Sequence, residues 1–317
     1  MKKLLSALIA CSVILLLSGC GAAGGVKMAL GTGEESGVYC SYGETLSSIL
    51  LEHSGLQIVP QKTDGAKDNI QKIHQGSLQL GLVQSDVMTY AWQGRRSFQQ
   101  EGRMDSFRVI AGLYSEAVQL VTIDPEIREI ADLKGKRISV GSEGSGVFFS
   151  AFDVLDAAGI TMNEIIPVYE DFAASTEALK NREIDAAFFV SGTPTPAITE
   201  LCRKDAAYLV PIDPMTRKRM LDASPFYSVC TIPANSYIGQ TEDVESVGVT
   251  AILVASANCS DSEIYELTEA LFENRQRIAA LHGKGADLNP ESASRIQTAP
   301  FHPGAVRYYR EQGIDLK

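Results

Sequence analysis

The sequence is short of positive charge: 28 lysines and arginines stand against 39 aspartates and glutamates, for a formal net charge of −11. A surface of that sign repels phosphate backbones and anionic headgroups, which excludes nucleic acid as a partner and leaves any bound anion to local donors. Histidine is scarce as well. His53, His74, His282 and His302 form no H-E-x-x-H pair, and no cluster of ligand residues has regular metal-site spacing, so no metal is expected. His302 sits in the constrained run Pro300-Phe301-His302-Pro303-Gly304, which reads as the entry turn of a helix. No Gly-Lys-Ser/Thr is present for a P-loop, and Gly31-x-Gly33-x-x-x-Gly37 is one residue too long for a dinucleotide fingerprint; no cofactor is expected. Beyond the first residues no apolar stretch is long enough to cross a bilayer.

The N-terminus differs from the rest. Lys2 and Lys3 precede an apolar run from Leu4 to Leu17, which has the length of a secretory signal. The run ends in Leu17-Ser18-Gly19-Cys20, which resembles the lipobox of bacterial lipoproteins. The resemblance implies cleavage after residue 19, lipidation of Cys20 and a flexible tether over residues 20–25. Two lysines and no acid leave with residues 1–19, so 26 basic residues remain against 39 acidic ones. Of six cysteines, Cys11 leaves with the signal and Cys20 takes the lipid. Cys40, Cys202, Cys230 and Cys259 allow three disulfide pairings or remain as buried thiols, and spacing does not choose.

From Val26 onward, short apolar runs alternate with helical periodicity, the pattern of a mostly parallel sheet. A first βαβαβ series runs to Gln84, a helix follows from Ser85 or Asp86, and strands are expected at Phe107 to Leu113 and Val118 to Ile123. A second series then repeats the first from Arg137 to Val190. After Pro233 one buried strand (Val247 to Ala255), one long helix (Ser262 to His282) and a last, shorter helix (Pro303 to Gln312) close the chain. The repetition predicts an α/β protein of two lobes, 26–115 with 233–317 and 116–232, joined by crossings near Ser115 and Ile232 around a hinged cleft, a periplasmic-binding-protein-like fold.

Two glycine loops occupy matching places in the two series. Leu30-Gly31-Thr32-Gly33-Glu34-Glu35-Ser36-Gly37-Val38-Tyr39 and Val140-Gly141-Ser142-Glu143-Gly144-Ser145-Gly146-Val147-Phe148 each read as strand, loop and helix N-terminus. That geometry leaves backbone N–H groups and the positive end of a helix dipole free for an anion. Tight turns alone would also explain glycine there, but a matched pair favours ligand binding. The first loop offers Thr32, Gly33, Ser36, Gly37, Val38 and Tyr39; the second offers Ser142, Ser145, Gly146 and Val147. Strand ends add Gln84, Ser85 and Asp86, the first crossing adds Glu116, and Phe189, Gly192 and Pro194 close the second lobe's edge. Ser145 lies in Gly-Ser-Gly and not in Gly-x-Ser-x-Gly, so an exported hydrolase using Ser145 is the alternative and no catalytic residue is expected.

In this order the motifs resemble the TAXI family of solute-binding proteins, which serve TRAP transporters. Carrying the resemblance are Gly31-Thr32-Gly33 with Gly37-Val38-Tyr39, Val83-Gln84-Ser85-Asp86, Asp132-Leu133-Lys134-Gly135-Lys136-Arg137, Gly144-Ser145-Gly146, Ile184-Asp185-Ala186-Ala187-Phe188-Phe189 before Gly192-x-Pro194, and His302-Pro303-Gly304-Ala305-Val306-Arg307-Tyr308-Tyr309. The chain departs from the family at Glu34-Glu35 and Cys40 in the first loop and at Val147 in the second. The resemblance implies an extracytoplasmic, lipid-anchored protein that captures a small organic anion or amino acid (glutamate, or a dicarboxylate such as 2-oxoglutarate) and passes it to a TRAP-type membrane permease. A ligand-sensing surface lipoprotein is the other alternative.

Overall fold

The computed structural model describes residues 27–143, 145–204 and 207–316, so the signal, Cys20 and the tether lie outside the described residues. In the first series β1 (Lys27–Gly31), α1 (Val38–Ser54), β2 (Gln57–Gln61), α2 (Ala66–His74), β3 (Leu80–Gln84) and α3 (Ser85–Gln93) follow one another, with β1 parallel to both β2 and β3. The strand β4 (Phe107–Thr122) leads into the second series: β5 (Arg137–Ser139), α4 (Gly146–Ala157), β6 (Ile166–Val168), α5 (Phe172–Lys180), β7 (Ala186–Ser191) and α6 (Pro196–Lys204), with β5 parallel to β6 and β7. Then come β8 (Tyr208–Val210), α7 (Pro214–Ala223), β9 (Ser228–Ile232), β10 (Val244–Ser256), α8 (Asp261–Glu273), α9 (Arg275–Leu281), α10 (Pro290–Ala293) and α11 (Pro303–Glu311). The strands form one mixed sheet in the order β2-β1-β3-β10-β4-β7-β5-β6, with β8 against β4 and β9 against β10. The architecture is α/β, with two lobes sharing a curled sheet.

Two expected strands, Phe107 to Leu113 and Val118 to Ile123, are one. Tyr114, Ser115 and Glu116 interrupt the apolar pattern, yet β10 supplies their ladder: Tyr114 faces Ala251, Ser115 faces Thr250 and Glu116 faces Val249. Tyr237 packs with Val121 and Phe189, and Val247 and Val249 pack with Val118 and Phe188, so the chain regains the first core only at Ala251. On β4 the same change of core falls between Tyr114 and Val118, directly opposite.

The expected helix Ser262 to His282 is two. Asn274 breaks it by turning its side-chain Nδ2 back onto the Ala270 carbonyl, 2.8 Å away, while its side-chain Oδ1 accepts from the Arg277 guanidinium. The polar segment Arg95 to Asp105 is anchored and not merely solvated: Phe98 is buried in a turn, and Arg103 lies over the Trp92 ring. Cys40, Cys202, Cys230 and Cys259 are free thiols. No helix among the described residues is long and apolar enough to cross a membrane.

Asn69 fixes the first half-sheet to the mouth of its glycine loop. Its buried amide nitrogen donates to the carbonyls of Gly31, Thr32 and Leu82 at 3.2, 2.7 and 2.7 Å. Gly31 is glycine because a Cβ there would lie 2.2 Å from the Asn69 oxygen. Asn69→Ala leaves those carbonyls short of a donor in the core and is expected to cost about 2–4 kcal/mol, read from the shift of the urea midpoint at unchanged slope.

Candidate ligand-binding cleft

Parallel strands end at one edge of their sheet, and ligands of open α/β sheets gather beyond those carboxyl ends. Both half-sheets present that edge to a cleft of about 550 Å³. Its wall is made by the N-termini of α1, α2, α4 and α5. Gly37 and Gly65 precede α1 and α2 without a side-chain cap, so the first N–H groups of these helices are not taken by their caps. Ser145 caps α4 by accepting from Phe148 N–H at 3.2 Å, and Asp171 caps α5 by accepting from Ala174 N–H at 2.8 Å.

Of the residues singled out in the sequence, Gly33, Gly37, Val38, Tyr39, Gln84, Glu116, Ser142, Ser145, Gly146 and Val147 line the cleft together. The remaining ones do not line it. Thr32 is buried, and its hydroxyl and N–H both bond the Gln61 carbonyl. The Ser36 hydroxyl donates to Glu34, and its carbonyl accepts from Ala197 N–H. Ser85 turns to β10, accepting from Thr250 N–H at 3.0 Å and facing the Phe226 carbonyl. Asp86 is fully buried behind the cleft, where Ser150 reaches it at 3.4 Å. Phe189 packs its ring on Phe172, Gly192 sits against Val38 and Lys284, and Pro194 is solvent-exposed.

The lobes meet closely around this cleft. A Cβ on Gly146 would run into the Gln84 side-chain amide and Val87, so a larger residue there would displace Gln84 where α4 approaches the end of β3. Behind the cleft, Asp153 of α4 accepts from Tyr227 at 2.9 Å, Tyr90 at 3.3 Å and Arg96 at 3.0 Å, and Phe149 packs edge-on to Tyr90.

Several lining residues were not singled out in the sequence. Thr63, Asp64, Gly65, Ala66, Lys67, Asp68 and Gln71 come from the start of α2, and Glu170, Asp171 and Phe172 from the start of α5; Glu34, Gly141, Glu143, Val190 and Ser191 complete the set. A signal for them existed: in each series the second strand also ends at the ligand edge, so β2 and β6 deliver their loops there as β1 and β5 do. Glycine drew attention to only half of them.

The cleft is acidic. Glu34, Asp64, Asp68, Glu116, Glu143, Glu170 and Asp171 line it, with Lys67 as the basic residue among them. Lys67 turns toward Glu101 at 3.4 Å. At the floor, Glu116 is buried and accepts from the Tyr39 hydroxyl at 2.9 Å. Burial pushes its carboxyl up from 4.5 to about 8, against the hydrogen bonds of Tyr39 and Gln84; Asp86 raises it further and Lys284 opposes. Burial likewise lifts Asp86 to about 7. Desolvation and the adjacent Glu116 drive the Tyr39 phenol well above its ordinary value. Ser145, whose hydroxyl oxygen serves as the helix cap, has no histidine beside it among the lining residues. No group of three or more His, Cys, Asp or Glu placed to hold a metal occurs among the described residues.

A model of the family described as NMT1-like matches residues 30–313. Among solved structures, a protein of Bordetella bronchiseptica RB50 is similar at 14% identity and TM-score 0.58, over 90% of this chain and 98% of that one. The alkanesulfonate-binding protein SsuA from Xanthomonas axonopodis pv. citri, bound to MOPS, is similar at 16% identity and TM-score 0.51, over 90% and 83%. The GluR0 ligand-binding core from Nostoc punctiforme, in complex with L-glutamate, is similar at 14% identity and TM-score 0.50, over 82% and 100%. At these identities the likeness is one of fold.

The buried carboxyls give a stability prediction. A carboxyl whose folded pKa lies above its unfolded value keeps more protons when folded, so stability is greatest below the unfolded pKa and falls as pH rises toward the folded one. Denaturant titrations between pH 5 and pH 8 should therefore show stability falling with pH, by up to about 1.4 kcal/mol per unit for each such group. Glu116→Gln, nearly isosteric and uncharged, should reduce that slope; an unchanged slope would place the Glu116 carboxyl outside this titration.

Proposed function

The chain belongs to the NMT1-like family, and from that membership together with its cleft we propose that it is an extracytoplasmic solute-binding protein which captures a small carboxylate and delivers it to a membrane permease. The observation that carries this reading is the convergence of helix N-termini from both halves of the molecule on one cleft. A ligand touching both sides stabilises the closed form by the contacts it lacks in the open one. The motif order and the lipobox-like N-terminus support the TAXI type, a TRAP permease as partner and a lipid anchor at Cys20. Its lobes divide at Glu116 on β4 and near Thr250 on β10, which moves the second boundary from the 232/233 junction expected from sequence.

The charge of the cleft narrows the cargo. Backbone N–H groups of α1 and α4 suit a carboxylate, while Glu116 and the surrounding acids suit an ammonium group. We therefore favour an amino acid over 2-oxoglutarate, which has no cation to offer. Burial of Glu116 beside Asp86 adds to this: a ligand cation replaces the proton that otherwise keeps the carboxyl neutral.

Thermal unfolding against a panel of amino acids and dicarboxylates tests the reading. An amino acid present at about 100 times its dissociation constant should stabilise the protein by about 2.7 kcal/mol. No shift with any of them would sink the transport reading. The anchor is tested separately: palmitate labelling of the full chain in a bacterial host should be lost in Cys20→Ser.

A further inference from the structure

Glu34 belongs to the first glycine loop, yet its carboxylate ends on the opposite lobe. Its two oxygens accept from Phe172 N–H at 3.1 and 3.3 Å, and one of them also accepts from the Ser36 hydroxyl at 2.6 Å. Phe172 opens α5, and the Asp171 side chain that caps this helix is already engaged with Ala174 N–H. The first donor of α5 is thus occupied by a carboxylate from across the cleft, and the third by its own cap. Next to this contact, the Ser36 carbonyl accepts from Ala197 N–H at 3.1 Å, a second bond between the same loop and the second lobe. Glu35, the adjacent residue, does something different: it faces solvent and pairs with Lys62.

We propose that Glu34 is a built-in anionic ligand of α5, which fills the donors that a second carboxylate of a cargo molecule would need and so restricts the cleft to solutes with one carboxylate. The neighbouring charges act in the same direction. Asp171, Glu170 and Asp64 lie along the same wall, so a second anion would meet repulsion there in addition to an occupied helix end. The same bonds join loop one to α5 directly, protein to protein, and so favour the closed arrangement of the lobes whether or not cargo is bound. The specificity in this proposal rests on the amino-acid reading above; the closure does not.

Both are measured with Glu34→Ala and Glu34→Gln, and with Glu35→Ala as the neighbouring control. Calorimetric titration with L-glutamine, L-glutamate and 2-oxoglutarate reads the preference, and small-angle scattering without ligand reads closure. Wild type is expected to favour glutamine over glutamate by at least about tenfold. Glu34→Ala should reduce that ratio by about tenfold or more, by gaining affinity for glutamate, and should be measurably more extended without ligand. Glu34→Gln keeps the shape and loses the charge, so it should shift the ratio the same way even if the alanine variant fails to fold. A folded Glu34→Ala with the wild-type ratio, or one as compact as wild type, overturns the proposal. If wild type binds none of the three probes while Glu34→Ala still opens, the cargo reading has failed and the latch has not.

Discussion

The antiparallel pairing of β4 with β10 is the constraint on which the cleft depends. The two strands stay paired from Phe107 opposite Ser256 to Ala117 opposite Gly248, and both contribute to all four apolar clusters. Parallel half-sheets attach on either side, β3 to β10 and β7 to β4. Because both half-sheets hang from one continuous ladder, their carboxyl edges turn toward each other, and the helices that follow β1, β2, β5 and β6 point their N-termini into a shared space. Register shifts at Ala251/Ile252 and Leu253/Val254 bend and twist the ladder close to the change of core.

At that change of core the chain buries Glu116, and Asp86 lies nearby with its Oδ1 unpaired. A carboxyl in such a place costs stability whether charged or neutral, and an apolar residue would pack there more favourably. Its position explains its presence: Glu116 stands at the cleft floor, at the crossing, and within hydrogen-bond reach of Tyr39 from α1. Local rules of burial are broken at the spot where binding would need them broken.

The parallel series, the glycine loops and the two-lobed plan were legible because each rests on local pattern: period-two runs, period-3.6 helices and glycine at strand ends. What escaped depends on partners distant in sequence. Tyr114-Ser115-Glu116 looks like a break until β10 supplies its ladder, and nothing in residues 107–122 announces that partner. Asn274 ends a helix whose apolar stripe continues past it, through a side-chain bond that competes with the backbone. Thr32, Ser85 and Asp86 have the chemistry of ligand donors, but Gln61, Thr250 and the buried face of α4 take them first. Polarity at a strand end identifies a candidate; only packing shows whether its hydrogen bonds are already spent.

The same accounting shows what an acidic cleft can offer an anion. Lysine or arginine in the cleft would pair with the surrounding carboxylates, as Lys67 does with Glu101 and Lys72 with Asp68, and be lost to the ligand. A helix N-terminus is fixed by its own backbone and does not titrate, so a carboxylate cannot neutralise it except by occupying it. Glu34 occupies α5 in that way and from the other lobe, whereas α1 and α2 begin without a side-chain cap. On the proposed reading, which helix ends remain open, more than how many charges line the wall, sets the number and placement of the anionic groups the cleft can accept.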